Sequence, residues 1–242
     1  GLGDVYKRQA VGYRAGLSSQ KLNAVAVGAD SGYTNQGTYS TAVGYQSGYQ
    51  NQGTYATSVG YQSGYYNQGS YAVAIGQNSG YTNQGSQAVS IGYLAGENNQ
   101  GNSAIGIGRQ SSRYSQGAYA VSVGYQSGYQ NQGESAMAIG YNSGVYYQGS
   151  GAISLGLNSA YNYQGINSIS IGSSAGYNYQ GTLAVAIGYN SAYASQGTGA
   201  ISIGAYAGYS SQGQYSTAIG YQSGYQNQKA YSTSIGYQSG YN

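Results

Sequence analysis

Ser40-Thr-Ala-Val-Gly-Tyr-Gln-Ser-Gly-Tyr-Gln-Asn-Gln-Gly-Thr-Tyr55 is followed at once by Ala56-Thr-Ser-Val-Gly-Tyr-Gln-Ser-Gly-Tyr-Tyr-Asn-Gln-Gly-Ser-Tyr71. The second stretch repeats the first, with the same glycines, the same Val before the first glycine and the same Asn-Gln-Gly run. Carried outward, one glycine anchors the unit throughout, at Gly12, Gly28, Gly44, Gly60, Gly76, Gly92, Gly108, Gly124, Gly140, Gly156, Gly172, Gly188, Gly204, Gly220 and Gly236. The step is always sixteen residues, with no insertion or deletion. A fixed short period is the mark of an architecture in which each unit stacks on the next.

The columns of this repeat set the local structure. Before every anchor glycine stands an aliphatic residue: Val11, Val27, Val43, Val59, Ile75, Ile91, Ile107, Val123, Ile139, Leu155, Ile171, Ile187, Ile203, Ile219 and Ile235. Two residues earlier, from Val25 onward, is Val, Ile, Thr or Met, and the positions between and before them hold only Ala, Ser or Gly. Period-two alternation of β-branched with small residues, bounded by glycine, predicts a short strand. Ala or Ser returns three residues after the anchor (Ser47, Ser63, Ala95, Ser127), usually before Gly and Tyr, and this segment is a weaker strand candidate. Glutamine forms the next column, at Gln20, Gln36, Gln52, Gln68, Gln84, Gln100, Gln116, Gln132, Gln148, Gln164, Gln180, Gln196, Gln212 and Gln228. Glycine nearly always follows it, which suits a turn of positive φ.

Equal spacing implies equivalent placement, so the expected fold is all-β, a β-solenoid or parallel β-roll of about fifteen coils. Parallel strands lie about 4.8 Å apart, which predicts a rod of roughly 70 Å in which each Gln or Tyr meets its copy above and below. One strand face carries Val, Ile and Leu and the other Ala, Ser and Gly, as in strands buried on both sides. One face is expected to fill the coil interior and the other to meet a second subunit. Burying two aliphatic side chains per coil does not offset the ordering of the coil's backbone, so ladder hydrogen bonds and tyrosine burial are expected to supply the rest.

Tyrosine recurs directly after the anchor (Tyr45, Tyr61, Tyr125, Tyr141, Tyr189, Tyr221) and four residues later (Tyr49, Tyr65, Tyr129, Tyr161, Tyr177, Tyr193, Tyr209, Tyr225). Such rows can bind glycans or bases by stacking, but self-packing or contact with a neighbouring subunit is the preferred reading.

The composition bears on chemistry. The chain holds 44 Gly and 34 Tyr but no Pro, Cys, His, Trp or Phe. Absence of His and Cys removes the usual general bases, thiol nucleophiles and most metal ligands, so neither catalysis nor a cofactor is expected. The four acids, Asp4, Asp30, Glu97 and Glu134, form no repeating pair or calcium turn. Gly106-Ile107-Gly108 lacks the third glycine of a dinucleotide loop and is explained by the repeat columns. A net charge of +3 from scattered bases does not make a nucleic-acid surface. Arg109 and Arg113 share one irregular coil and are read as solvated charges, with a local binding spot as the alternative. No apolar run approaches the roughly 20 residues of a membrane helix.

Continuing the repeat backward fails at Asp4, Val5, Arg8 and Gln9 together. Residues 1–9 resemble a translated sequencing adaptor and are set apart from a single repeat domain over residues 10–242. That domain stops mid-unit, as expected for a fragment truncated at both ends.

Ala136-Met-Ala-Ile-Gly-Tyr-Asn-Ser143 and Ser168-Ile-Ser-Ile-Gly-Ser-Ser-Ala175 resemble the Ser-Val-Ala-Ile-Gly-x-x-Ser/Ala head repeat of trimeric autotransporter adhesins. The resemblance runs from Ala10 to Asn242 and implies a left-handed parallel β-roll, homotrimeric, displayed on a bacterial surface and adhering to a host protein, glycan or matrix. The family unit is about two residues shorter and lacks the Tyr-x-Asn-Gln-Gly insertion. Similar repeats occur in phage and large-virus fibres, so the expected function is a structural, adhesive fibre segment on a cell or virion exterior. An ice-binding or ice-nucleating solenoid is an alternative, weakened by sporadic threonine (Thr34, Thr41, Thr57, Thr82). A self-assembling filament with coils stacked end to end is another, because open coils expose strand edges. Disorder is a third, suggested by the Gly-Tyr-Gln-Asn runs, but it gives no reason for the fixed aliphatic column.

Overall fold

A computed structural model describes residues 8–241, in two compact units, Gly1–Tyr119 and Ala120–Asn242. Both are parallel β-solenoids, as the constant period predicts. In the first unit, strands such as Val25–Val27, Thr41–Val43 and Thr57–Val59 stack with Val25 on Thr41, Ala26 on Ala42 and Val27 on Val43. A second sheet is built from Thr34–Gln36, Gln50–Gln52, Tyr66–Gln68 and their successors, with Gln36 on Gln52 and Gln52 on Gln68. The second unit repeats the plan, with Met137–Ile139 on Ile153–Leu155 in one sheet and Tyr146–Gln148 on Asn162–Gln164 in the other. Every such pair advances one sixteen-residue unit, so residues sixteen apart do lie over one another. Of the segment read as non-native, residues 1–7 lie outside the described residues, while Gln9 pairs with Val25.

Two expectations are corrected. The weaker strand is not the Ser-Gly-Tyr segment, because Tyr45–Gly48 is a turn in which Gln46 and Gly48 both take positive φ; pairing resumes at Gln50. The glycine after each Gln is not there for positive φ. A Cβ on Gly53 would lie 2.5 Å from the carbonyl carbon of Gly69 in the next coil, so the position requires glycine for close backbone approach. Anchor glycines such as Gly140 meet both conditions: its φ is +133, and a Cβ on it would lie 2.4 Å from the Gly156 oxygen.

The structure also decides which strand face fills the interior, left open by the alternation. It is filled by Ala and Ser, as in Ala24, Ala26, Ser31, Ser40, Ala42 and Ser47, together with the Gln column; the aliphatic residues point outward. The reason is size. A Cβ added at Gly48 would sit 3.1 Å from the Ala42 methyl and 3.0 Å from the Gln52 amide carbon, so the two sheets already touch through the smallest side chains. Valine could not turn inward there.

Gly44, Gln46, Gly48, Asn51 and Tyr55 all have positive φ within one coil, and these bends close it tightly. Asn tolerates the left-handed region better than most residues, which accounts for the Asn that precedes half of the glutamines.

Candidate self-association face and side-chain columns

Glutamine holds each coil shut. The Gln84 Nε2 donates to the Val73 carbonyl across the coil at 2.8 Å and to the Gln100 Oε1 of the next coil at 3.1 Å, while its own Oε1 accepts from Gln68 at 3.1 Å. The same cross-coil bond recurs from Gln36 to Val25, Gln148 to Met137 and Gln212 to Ile201. Where the strand centre is Ser, its hydroxyl donates to the Gln oxygen, as from Ser58 to Gln68 and Ser170 to Gln180, both bonds buried. A further serine column ties successive coils, with the Ser31 Oγ donating to the Ala42 carbonyl at 2.7 Å and Ser79 to Ser90 at 2.7 Å. A buried amide is costly unless bonded, and this network meets most of that demand while also linking neighbouring coils; the Oε1 atoms of Gln36 and Gln52 are buried without a partner.

One ladder escaped the sequence reading. Asn35, Asn51, Asn67, Asn83 and Asn99 form an exposed chain of amide bonds of 2.9–3.0 Å on the outer face of the second sheet. Its signal was the unbroken run of Asn before Gln36, Gln52, Gln68, Gln84 and Gln100. A column of identical amides spaced by the period implies such a chain whether it points inward or outward.

The expected tyrosine column is continuous in stretches. Tyr49 stacks on Tyr65 at 4.8 Å, and Tyr161, Tyr177, Tyr193, Tyr209 and Tyr225 stack in succession at 4.9–5.2 Å. Tyr33, Tyr81 and Tyr241 extend these rows, whereas Tyr129 meets Tyr146 edge-on because Val145 occupies the next position of its column. Desolvation raises the pKa of Tyr49, Tyr65, Tyr81, Tyr161, Tyr177 and Tyr209, and the neighbouring phenol of Tyr66 adds to the effect at Tyr65. Further stacks not singled out from sequence run through Tyr39, Tyr55 and Tyr71, and through Tyr147, Tyr163 and Tyr179.

Two pairs of charges are not simply solvated. The Arg14 guanidinium donates to both carboxylate oxygens of Asp30, at 2.7 and 2.9 Å, and holds that carboxyl below its usual range. Arg113, expected to be a solvated charge, pairs with Glu97 instead. Glu97 and Arg113 occupy the tyrosine column, so one ion pair stands where two rings would stack. Arg109 lies 5.6 Å above the ring of Tyr93 in its own column.

In each unit the aliphatic column forms an outer row on the first sheet. Ile75 is 38% exposed and Leu155 42%, with Val27, Ile107, Ile203 and Ile235 also exposed. Val43, Val59, Ile91, Val123, Ile139, Ile171, Ile187 and Ile219 are half-buried between their neighbours. Beside them runs a second outward row that includes Val73, Val89, Ile105 and Ile153. Neither row contains a charged residue. A flat, uncharged, aliphatic β face is the feature of these units that water covers least well.

Among the described residues no group of His, Cys, Asp or Glu could hold a metal ion, and no helix is long and apolar enough to cross a membrane. An open groove of about 360 Å³ runs along Tyr147, Tyr163 and Tyr179 over Gly165 and Gly181, and carries no carboxylate or amine.

Fold and columns together define a repeat protein of the parallel β-solenoid class, whose side-chain rows serve as structure and surface. The family model described as the YadA head domain repeat matches it in two copies, over residues 211–223, a stretch containing Ser216-Thr-Ala-Ile-Gly-Tyr-Gln-Ser223. That match and the solenoid fit the head repeats of trimeric autotransporter adhesins, and the chain is adhesin-like in this structural sense. No curated protein matches the chain.

Proposed function

We propose that this chain is an adhesin-like structural segment of a fibre on a cell or virion exterior, assembled as a homotrimer through the aliphatic face of the first sheet. The observation that carries the reading is the outward orientation of the Val and Ile rows. The coil interior is satisfied by Ala, Ser and Gln, so these side chains add nothing to the core, and a matching face on a second copy is what would remove them from water. The head-repeat match supports the same assembly and an extracellular setting. The second sheet, with its Asn and Tyr rows, then faces outward, where a host protein or glycan would be met. The work of such a segment is to provide length and surface, without catalysis. Thr41 and Thr57 on the outer first-sheet face give way to Val73 and Val89, so no continuous threonine row favours ice binding.

Sedimentation at decreasing concentration tests the assembly. The wild-type chain should sediment as a trimer, and Ile75→Lys combined with Ile107→Lys should give monomers with unchanged β-type circular dichroism. A wild-type protein that stays monomeric at high concentration would end this reading. Unlimited filaments would favour end-to-end assembly instead.

A further inference from the structure

We propose that the outward stack of Tyr147, Tyr163 and Tyr179 is a site of oxidative cross-linking, at which hydrogen peroxide and a peroxidase join successive coils through dityrosine. The column is otherwise Asn or Ser, with Asn131 one coil before the stack and Ser195 one coil after it, so these rings are a local departure from the repeat. Ring centroids are 4.8 Å apart between Tyr147 and Tyr163 and 5.1 Å between Tyr163 and Tyr179, with planes within 2° and 4° of parallel. The rings are 44, 45 and 59% exposed and border the open groove, so an oxidant in solution reaches their edges.

In-register stacking places each ring carbon over the same carbon of the next ring at about the coil spacing. A radical on one phenol therefore has a partner phenol held beside it by the fold, at an effective concentration no second molecule matches in dilute solution. The chain has no Cys and one Met, so few side chains compete for the oxidant.

The step balances without any group from the protein beyond the two phenols. Each phenol gives up one electron and one proton, and the peroxide is reduced to two waters. The two phenoxyl radicals form one carbon–carbon bond between their Cε positions, and the displaced Cε hydrogens move to the phenol oxygens as the rings regain aromaticity. The product is a covalent staple between residues sixteen apart, which replaces stacking with a bond. Tyr39, Tyr55 and Tyr71 present the same geometry in the first unit, at 5.0 Å for each step.

The test uses the intact folded chain, dilute, as an equal mixture of isotopically light and heavy protein, treated with peroxidase and hydrogen peroxide. Digestion and mass spectrometry should find Tyr147–Tyr163 and Tyr163–Tyr179 bridges, each lighter by two hydrogens and free of mixed isotopes. Tyr163→Phe keeps the ring, and with it the stack, and should abolish both bridges while leaving those of Tyr39, Tyr55 and Tyr71. Tyr147→Phe should leave the Tyr163–Tyr179 bridge alone. Bridges of mixed isotope only, bridges at spacings unrelated to the repeat, or a yield indifferent to Tyr163→Phe would overturn the proposal, as would the absence of dityrosine fluorescence.

Discussion

Replacing Gln84 by Leu asks how much one rung of the buried amide ladder contributes. Gln84 is 2% exposed and bonds the Val73 carbonyl, the Gln100 oxygen and the Gln68 amide. Leucine keeps most of the volume but no polar atom. Gln68 retains its bond to the Thr57 carbonyl, Gln100 retains the Ser90 hydroxyl, and Val73 stays in the strand ladder opposite Val89, so the loss is of three side-chain bonds rather than of one orphaned group. Three hydrogen bonds lost at about 0.5–1.5 kcal/mol each come to roughly 2–4 kcal/mol in all. In a stack of coils the loss should open the neighbouring coils rather than the whole unit. Hydrogen exchange read by mass spectrometry should show the amides of Gly69, Val73 and Gly85, which bond across these coils, exchanging roughly 30- to 700-fold faster. Asn83→Gly removes the adjacent exposed amide while easing a backbone of φ 54, and should change exchange by less than about tenfold. Equal effects from the two substitutions, or no effect from Gln84→Leu, would refute the assignment of cohesion to the interior amides.

The anchor column offers an internal control: Gly140→Ala forces a Cβ against the Gly156 carbonyl, whereas a Cβ at Gly236 meets nothing within 4 Å. Thermal melts should show a loss of well over about 1 kcal/mol for Gly140→Ala and a smaller one for Gly236→Ala, which bears only the strain of positive φ. Asp30 has a folded pKa below its ordinary 3.8, so its contribution is present above that value and is lost as pH falls through the lowered one. Exchange at the Asp30 amide, which bonds the Tyr13 carbonyl, should rise in that acid window, and Arg14→Gln should flatten the dependence. The stacked phenols shift the other way. Tyr65, Tyr81, Tyr161 and Tyr177 are raised above 10.0, so stability is complete below that value and is lost as pH rises through their folded values. Phenolate absorbance from these four rings should therefore rise together with loss of the β signal.

The period carried most of the fold. Identical spacing of Gly44, Gly60 and Gly76 fixed the stacking, and the alternation in Thr41-Ala42-Val43 fixed the first strand. Which face of that strand points inward was not legible, because alternation alone is symmetric. The choice depends on the distance between the sheets, which is set by the turn through Gln46 and Gly48 and the bend at Asn51, and the positive φ of Gln46 is one that its residue type does not announce. The second strand was missed for a related reason: Gln50-Asn51-Gln52 has little β propensity and pairs because identical amides meet above and below. Of the candidate surface, the aliphatic row was legible as a row but not as exposed, and the partnership of Glu97 with Arg113 follows from their separation by one unit.

An interior of methyls, hydroxyls and amides gives the isolated chain an unusual thermal character. Exposing apolar surface raises the heat capacity on unfolding and exposing polar surface lowers it, and here the interior is largely polar while the larger aliphatics are already partly wetted. A single chain should therefore unfold with a heat-capacity increment below the about 12–15 cal/mol/K per residue of ordinary domains, giving a broad, shallow curve of stability against temperature. Association through the Val and Ile rows would add the missing increment, so calorimetry at two concentrations reads the same face by its heat.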